Sequence, residues 1–393
     1  MAVLGDYIRI KHGFAFKGEF ISSENNGVVL VTPGNFAIGG GFKEEKCKFF
    51  QAEYPDEYVL KPGDLIVTMT DLSKQGDTLG YSARIPKSER VYLHNQRIGL
   101  VDVFNSDADK EYLYWFMRSG KYQKTVVATA SGSTVKHTSP SRICEIEINL
   151  PPIDVQKKIA AVLSVFDSKI ELNQRINENL ERQAQTIFAE CFFGNSDIPD
   201  GWRMGNLLEI ADFLNGLAMQ RYRPKDGEVG FPVLKIKELR QRSCDDSSEL
   251  CSPSIKPEYI IYDGDVIFSW SGSLLVDLWC GGTCGLNQHL FKVTSKNYDK
   301  WFYYSWTLHH LKRFIAIAAD KATTMGHIKR EELAKAEVLI PSKSDYDRIG
   351  AVMGPIYDLI IANRLESRKL AEVRDGLLPR LIAGEIDIRD VNT

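Results

Sequence analysis

The sequence predicts an α+β protein made of two mixed α/β globules, each followed by one long helix. Three observations carry that prediction. The second half of the 393 residues restates the first, a gapless stretch in each copy keeps a heptad, and the remainder of each copy alternates short β-rich runs with turn residues. A composition of 44% hydrophobic and 26% charged residues is that of a globular chain with room for two or three cores.

The repeat orders everything else. Leu4, Asp6 and Gly13 correspond to Leu207, Glu209 and Gly216, the run YVLKPGDLIVT from Tyr58 to YIIYDGDVIFS from Tyr259, and Asn95-Gln96 to Asn287-Gln288. From His137/His327 through Pro151/Pro341 and Asn173/Asn363 to Gly194/Gly384 every pair is 190 positions apart. Upstream the offset falls from 203 to 190, so the loops there differ in length between copies. The expected divisions are a globule over 1–150, a long helix over 151–194, a second globule over 195–340 and a long helix with a tail over 341–393.

Within the globules, VVLVT (28–32), DLIVTM (64–69), IGLVDV (98–103), FPVLKI (231–236) and DVIFSW (265–270) read as strands bounded by Gly, Pro and Asn turns. EYLYWFMRS (111–119) and KWFYYSWTLHHLKRF (300–314) read as amphipathic helices with aromatics toward a core. The gapless part reads as one helix per copy, with Asp154 and Ser344 as N-cap candidates and Gly194 and Gly384 as stops. Its a positions are Ile159, Phe166, Asn173, Leu180 and Ile187, then Ile349, Ile356, Asn363, Leu370 and Leu377. Val162, Leu163, Ile170 and Ile176, then Val352, Met353, Leu359 and Ile360, fill the d and e positions. About 38 residues at 1.5 Å each span roughly 57 Å, too long a seam for one small globule. The two helices are therefore expected to pair, with Asn173 and Asn363 opposed as register markers, because a slip would bury an unpaired amide. The alternative is that each helix packs on its own globule with its asparagine solvated. Pro379 should kink or shorten the second helix.

The common catalytic constellations are missing: there is no GxxxxGK[ST] loop, HExxH or GxSxG. Gly39-Gly40-Gly41 reads as a turn, and Asp64 and Asp265 as structural residues at turn-to-strand junctions. Cys244, Cys251, Cys280 and Cys284 have loose spacings without a counterpart in the first copy, so they read as thiols and not as a metal site. Seven scattered cysteines fit a reducing compartment. MAVLGDYIRIKHG lacks the apolar core of a signal peptide, and no run of 18 apolar residues occurs, so a cytoplasmic location is expected.

The net charge of −3 is uninformative, but local runs are basic. Between Tyr112 and Cys144 lie Arg118, Lys121, Lys124, Lys136 and Arg142. Residues 221–242 hold Arg221, Arg223, Lys225, Lys235, Lys237, Arg240 and Arg242 against three acids. One such run is usually a solvated face; two, one per repeat, point to phosphate contact. Beside them stand residue types that read base edges, Asn95, Gln96 and Arg97, then Asn287, Gln288 and His289, although Asn and Gln also stabilise turns. Lys17, Thr68, Thr70, Gln75, Ser133, Thr134, Lys136 and His137, then Ser269, Ser271, His327 and Lys329, complete the candidate DNA contacts.

GSTVKHTSPSRICEIEINLPPIDVQKKIAAVLSVFDSKIELNQ resembles the stretch that ends each target-recognition domain in the DNA specificity subunits of Type I restriction-modification systems, and DGLLPRLIAGEIDI resembles that family's C-terminal signature. Copy two departs from the pattern, with one Pro and no Gln in TTMGHIKREELAKAEVLIPSKSDYDRIG. The resemblance implies two target-recognition domains held apart by two antiparallel helices and related by a pseudo-two-fold axis. It implies a subunit without catalytic activity, each domain reading one half of a bipartite, non-palindromic DNA target while the helices set the spacer. The implied partners are double-stranded DNA, two methyltransferase subunits and, for cleavage, two restriction subunits. No cofactor or metal is expected on this chain; S-adenosylmethionine is expected on the methyltransferase partner. A solitary DNA-modifying enzyme would need a catalytic motif, and a duplicated protein-binding scaffold would not need paired basic runs. A neighbouring gene for an adenine methyltransferase would separate these readings.

Overall fold

The computed structural model describes residues 2–44, 47–194, 197–320 and 328–388. They form two compact units, one containing the residues through Ser168 and those from Ala371 onward, the other Lys169–Leu370.

In the first unit an antiparallel sheet runs in the order Ile8–His12, Ile98–Val103, Leu65–Thr68, Ser82–Arg84. A five-stranded sheet places Val28–Val31 parallel to Val91–His94. The second unit repeats both: Asp212–Asn215, Leu290–Thr294, Val266–Ser269 and Leu275–Leu278 form the antiparallel sheet, and Phe231–Leu234 lies parallel to Cys284–Leu286. The expected β-rich runs are strands in both. Each alternates its side chains between two apolar layers, which is why Leu65, Ile66 and Val67, and Val266, Ile267 and Phe268, are all buried.

The aromatic stretches differ in a way that one pair of residues explains. Copy one breaks into Lys110–Phe116 and Gly120–Ala128, where Ser119 caps the second helix by accepting from the Tyr122 N–H at 3.4 Å. Copy two has His309 and His310 in place of Ser119 and Gly120 and runs unbroken over Lys300–Asp320. Tyr112, Trp115, Trp301 and Phe302 are buried, as core aromatics should be.

Both long helices form, over Ile153–Phe193 and Lys343–Ile382, and both start before the expected caps. Asp154 lies inside the first turn of the central helix, whose opening bond runs from the Gln156 N–H to the Pro152 carbonyl at 3.0 Å. Ser342, not Ser344, caps the C-terminal helix, its Oγ accepting from the Asp345 N–H at 3.3 Å. Pro379 does not end that helix, which continues to Ile382. Gly384 follows at φ 72°, with the Glu385 N–H reaching back to the Arg380 carbonyl.

Within each unit, parts of the two helices pair antiparallel and also pack on that unit's globule. Ile159 and Leu163 share one core with Leu378, Leu381 and Trp115; Phe188 and Phe192 share the other with Met353, Tyr357, Ile360 and Trp306. The heptad misplaces two residues, since Val352 and Leu359 are 50% and 45% exposed. A straight helix of 3.6 residues per turn, holding a second contact with its globule, rotates the seam onto the neighbouring Met353 and Ile360. Asn173 and Asn363 are both buried, but their amides do not pair directly. Asn173 Nδ2 donates to Glu366 Oε2 at 2.7 Å, with the Asn363 carbonyl 3.4 Å away, and Asn363 Nδ2 donates to Asn177 Oδ1 at 2.9 Å.

Candidate nucleic-acid interface

Four loops of the first unit converge at one end of its antiparallel sheet. The Phe14 N–H donates to the His94 carbonyl and the Gln96 N–H to the Phe14 carbonyl, at 2.8 and 3.0 Å. Gly13 must be glycine there, because a Cβ would lie 2.3 Å from the His94 oxygen. The Met69 N–H then bonds the Arg97 carbonyl, and the Thr138 N–H bonds the Met69 carbonyl. This brings together the loop carrying Lys17, the 94–97 turn with Gln96 and Arg97, the 71–78 loop with Gln75, and the 131–137 hairpin with Ser133, Thr134, Lys136 and His137. Lys17, Gln75, Gln96, Arg97, Ser133, Thr134 and His137 are exposed, and Lys136 is half-buried.

The second unit repeats most of this frame. The Leu217 N–H donates to the Leu286 carbonyl at 2.9 Å, as that of Phe14 does to His94, and Gly216 lies against the Asn287 and Leu286 carbonyls, 2.2 and 2.4 Å from a notional Cβ. The Trp270 N–H faces the His289 carbonyl and the Ile328 N–H bonds the Trp270 carbonyl. Gln288, His289 and Lys329 reach the surface here; His327 lies outside the described residues.

Several expected contacts hold the frame and do not face outward. Asn95 and Asn287 are 8% and 3% exposed, and each Oδ1 accepts the N–H two residues on, from Arg97 at 2.9 Å and His289 at 3.2 Å. Those are turn bonds of the kind Asn readily makes. Thr68 and Ser269 are fully buried; the Thr68 hydroxyl donates to the Thr70 carbonyl at 2.9 Å, and that of Ser269 to the Ser273 carbonyl at 2.9 Å with the Ser271 carbonyl 3.3 Å away. Thr70 and Ser271, nearly buried, anchor imidazoles: Thr70 Oγ1 is 3.1 Å from His137 Nδ1, and Ser271 Oγ is 3.0 Å from His289 Nδ1.

Asp71 and Trp270 were not among the expected residues. Burial alone would raise the Asp71 pKa, yet bonds from Ser73 and Thr78 hold it below the usual carboxylate value and shape the 71–78 loop. Trp270 Nε1 donates to Asn215 Oδ1 at 2.9 Å, tying the turn to the sheet. The residue after Thr70 is Asp71 and that after Ser271 is Gly272, so comparing the two copies is the signal that marks this difference.

The basic runs are less basic in three dimensions. Arg118 is buried, Nη1 donating to Asp167 Oδ2 at 2.8 Å and Nε to the Gly39 carbonyl at 2.9 Å, so it is not a surface cation. Arg223 and Lys235 share Glu249, Lys237 pairs with Asp245 at 3.3 Å, and Arg242 with Asp277 at 2.7 Å. Hydrogen bonds from Ser247, with Gln241 and Lys237 adding to them, hold Asp245 down to about 2. Arg221, Lys225 and Arg240 are exposed and carry the positive face of this run.

Asp64 and Asp265 close turns, accepting from the Lys61 and Tyr262 N–H groups at 2.8 Å each. The triple glycine is a turn with φ of 85°, 85° and 96°. All seven cysteines are free thiols, with Cys244 and Cys284 Sγ 3.5 Å apart. Among the described residues no group of three His, Cys, Asp or Glu side chains is placed to hold a metal, and no helix is long and apolar enough to cross a membrane.

Comparison with known proteins places this geometry. Residues 3–182 and 199–374 each match the Type I restriction modification DNA specificity domain. The chain is 25% identical over 312 residues to the Type I restriction enzyme MjaIX specificity subunit of Methanocaldococcus jannaschii, covering 72% of this chain and 70% of that protein. It is 30% identical over 189 residues to the EcoBI specificity subunit of Escherichia coli, covering 47% and 36%. The crystal structure of a Type I restriction-modification S subunit from M. genitalium shares the fold, with a TM-score of 0.58 at 15% identity over 96% of this chain and 94% of that one. Two matched specificity domains spanning most of the sequence, on a shared fold, make this chain a member of the Type I restriction-modification DNA specificity family, a recognition subunit and not a catalytic one.

Proposed function

We propose that the chain reads a bipartite, non-palindromic DNA target, one half per domain, and carries methyltransferase subunits to it. One observation supports this most strongly: the two loop clusters share much of a backbone frame while exposed side chains at equivalent places differ, Arg97 in one against His289 in the other. A common frame with different reading groups suits two unlike half-sites. The long helices set the unread spacer and dock two methyltransferase subunits, which bring S-adenosylmethionine; two restriction subunits join when cleavage follows. Methylome sequencing of a host expressing this chain with the neighbouring methyltransferase gene should return a split, asymmetric motif. A continuous palindrome would reject the reading. Matched seven-residue insertions after Ser168 and after Leu370 add two turns, roughly 10 Å, and should lengthen the spacer by about three base pairs while leaving both half-sites unchanged.

A further inference from the structure

Each unit carries one hydroxyl-anchored imidazole at the same place in its frame, but the two histidines come from different loops. Thr70 and Ser271 are equivalent residues, each two positions after a buried hydroxyl (Thr68, Ser269) that lies 2.9 and 3.3 Å from its carbonyl. In the first unit the partner is His137, from the hairpin that pairs with Thr70. In the second it is His289, from the turn after Asn287. His289 corresponds to Arg97, and the counterpart of His137 is His327, so inheritance from a common repeat does not account for the shared geometry. What recurs is the arrangement: Nδ1 fixed at 3.0–3.1 Å from a nearly buried hydroxyl, on an otherwise exposed ring.

We infer that His137 and His289 are specificity-determining residues whose Nε2 edges read base edges in the DNA major groove. The inference rests on the DNA-reading function proposed above. Phosphate contact needs positive charge and tolerates a mobile side chain, whereas a base edge must be met at a defined angle. Anchoring Nδ1 removes the ring's rotational freedom and leaves only Nε2 to present, which suits the second task. The two units present it differently. His137 offers the imidazole by itself, whereas in the second unit Gln288 Nε2 is hydrogen-bonded to His289 Nε2 at 3.3 Å, so that the bonded amide and imidazole present one joint edge. Domain one should therefore lose discrimination at one base pair when its histidine is removed, and domain two at one or two adjacent pairs.

The test selects bound sequences from a randomised duplex pool, using the full chain co-purified with its methyltransferase subunits. His137→Ala should relax one position of one half-site on the order of tenfold to a hundredfold and leave the other half unchanged; His289→Ala should do the reverse. Thr70→Val, which keeps His137 and frees its ring, should relax the same position as His137→Ala, and Thr70→Ser should restore it. Thermal melting confirms that each variant is folded; the two histidine variants alter exposed side chains, so they keep the question answerable if Thr70→Val does not fold. Weaker binding to all sequences with unchanged preference would make the histidines phosphate contacts and overturn the inference. Unchanged preference and affinity would overturn it as well, leaving the function intact. A wild-type complex without sequence preference would overturn the function and this assignment together.

Discussion

Gln156 and Tyr346 stand 190 residues apart and make the same bond. Gln156 Oε1 accepts from the Asp109 N–H at 2.8 Å, and the Tyr346 hydroxyl accepts from the Asp299 N–H at 2.6 Å. Each locks the first turn of a long helix to the start of its unit's aromatic helix, so the glutamine missing from copy two has a working substitute. The fully buried Gln156 also donates to the Asp107 and Pro151 carbonyls, both at 2.8 Å. Gln156→Ala should therefore cost about 2–4 kcal/mol, and Tyr346→Phe, which loses one hydroxyl, about 1–2 kcal/mol. Denaturant unfolding midpoints check both; equal small losses would contradict the difference in bonding.

Asp167 sits between Arg118 and Arg374, bonding both, inside the first unit. Burial opposes its ionisation, and the two guanidiniums outweigh that and hold its pKa down. The equivalent places in the second unit are Leu308, Tyr357 and Ala184, with no charge at all. Asp167→Ala should lose about 3–5 kcal/mol, chiefly by leaving the buried Arg118 without a carboxylate, since Arg374 keeps Asp375. Transplanting the other unit's solution, Arg118→Leu with Asp167→Tyr and Arg374→Ala, should recover most of it, measured as a gain in melting temperature over Asp167→Ala.

His310 is 8% exposed, and its Nε2 is 2.8 Å from the Glu337 carbonyl. Burial, partly offset by that carbonyl and reinforced by His309 and Arg313, pushes its pKa down from 6.5 to about 4. The unfolded chain thus takes up this proton first as the pH falls. Above the ordinary value of 6.5 the residue brings no penalty; between there and about 4 the native state loses stability, by roughly 3 kcal/mol in all. His310→Gln should flatten that part of the stability profile between pH 7 and 4, while carboxylate-driven losses persist in both proteins. Parallel profiles would remove His310 as a cause.

Of the 221–242 run, Arg221, Lys225 and Arg240 are exposed and face solvent, whereas Arg223 and Lys235 are held by Glu249, Lys237 by Asp245 and Arg242 by Asp277. Replacing Arg221 and Arg240 by Ala should lower the slope of log K against log salt by about 1.8, and the same change at Arg223 and Lys235 by less. Binding titrations across a salt series measure both slopes.

Much of the architecture was legible because it is written in local patterns. The β-rich runs and the unbroken helices depend on spacing and turn chemistry within a few residues, and the repeat shows that both copies use the same patterns. The candidate interface was legible as a set of loops, since unequal offsets between copies expose where length varies. Which side chains in those loops face outward was not legible. Asn95 and Asn287 have the chemistry of base readers, but a two-residue turn bond uses it internally.

By itself, then, the sequence determined two α/β copies, their strands, a long helix in each, and an asparagine at the same heptad of both helices. Tertiary structure alone decided which charges survive at the surface and which polar groups meet. Asp167 reaches Arg118 across 49 residues and Glu249 reaches Arg223 across 26, and Thr70 and Ser271 each find a histidine in a different loop. The physical reason is one of range: periodicity and turn propensity act between near neighbours, whereas neutralising a cation or anchoring an imidazole requires the chain to bring distant residues within about 3 Å of each other.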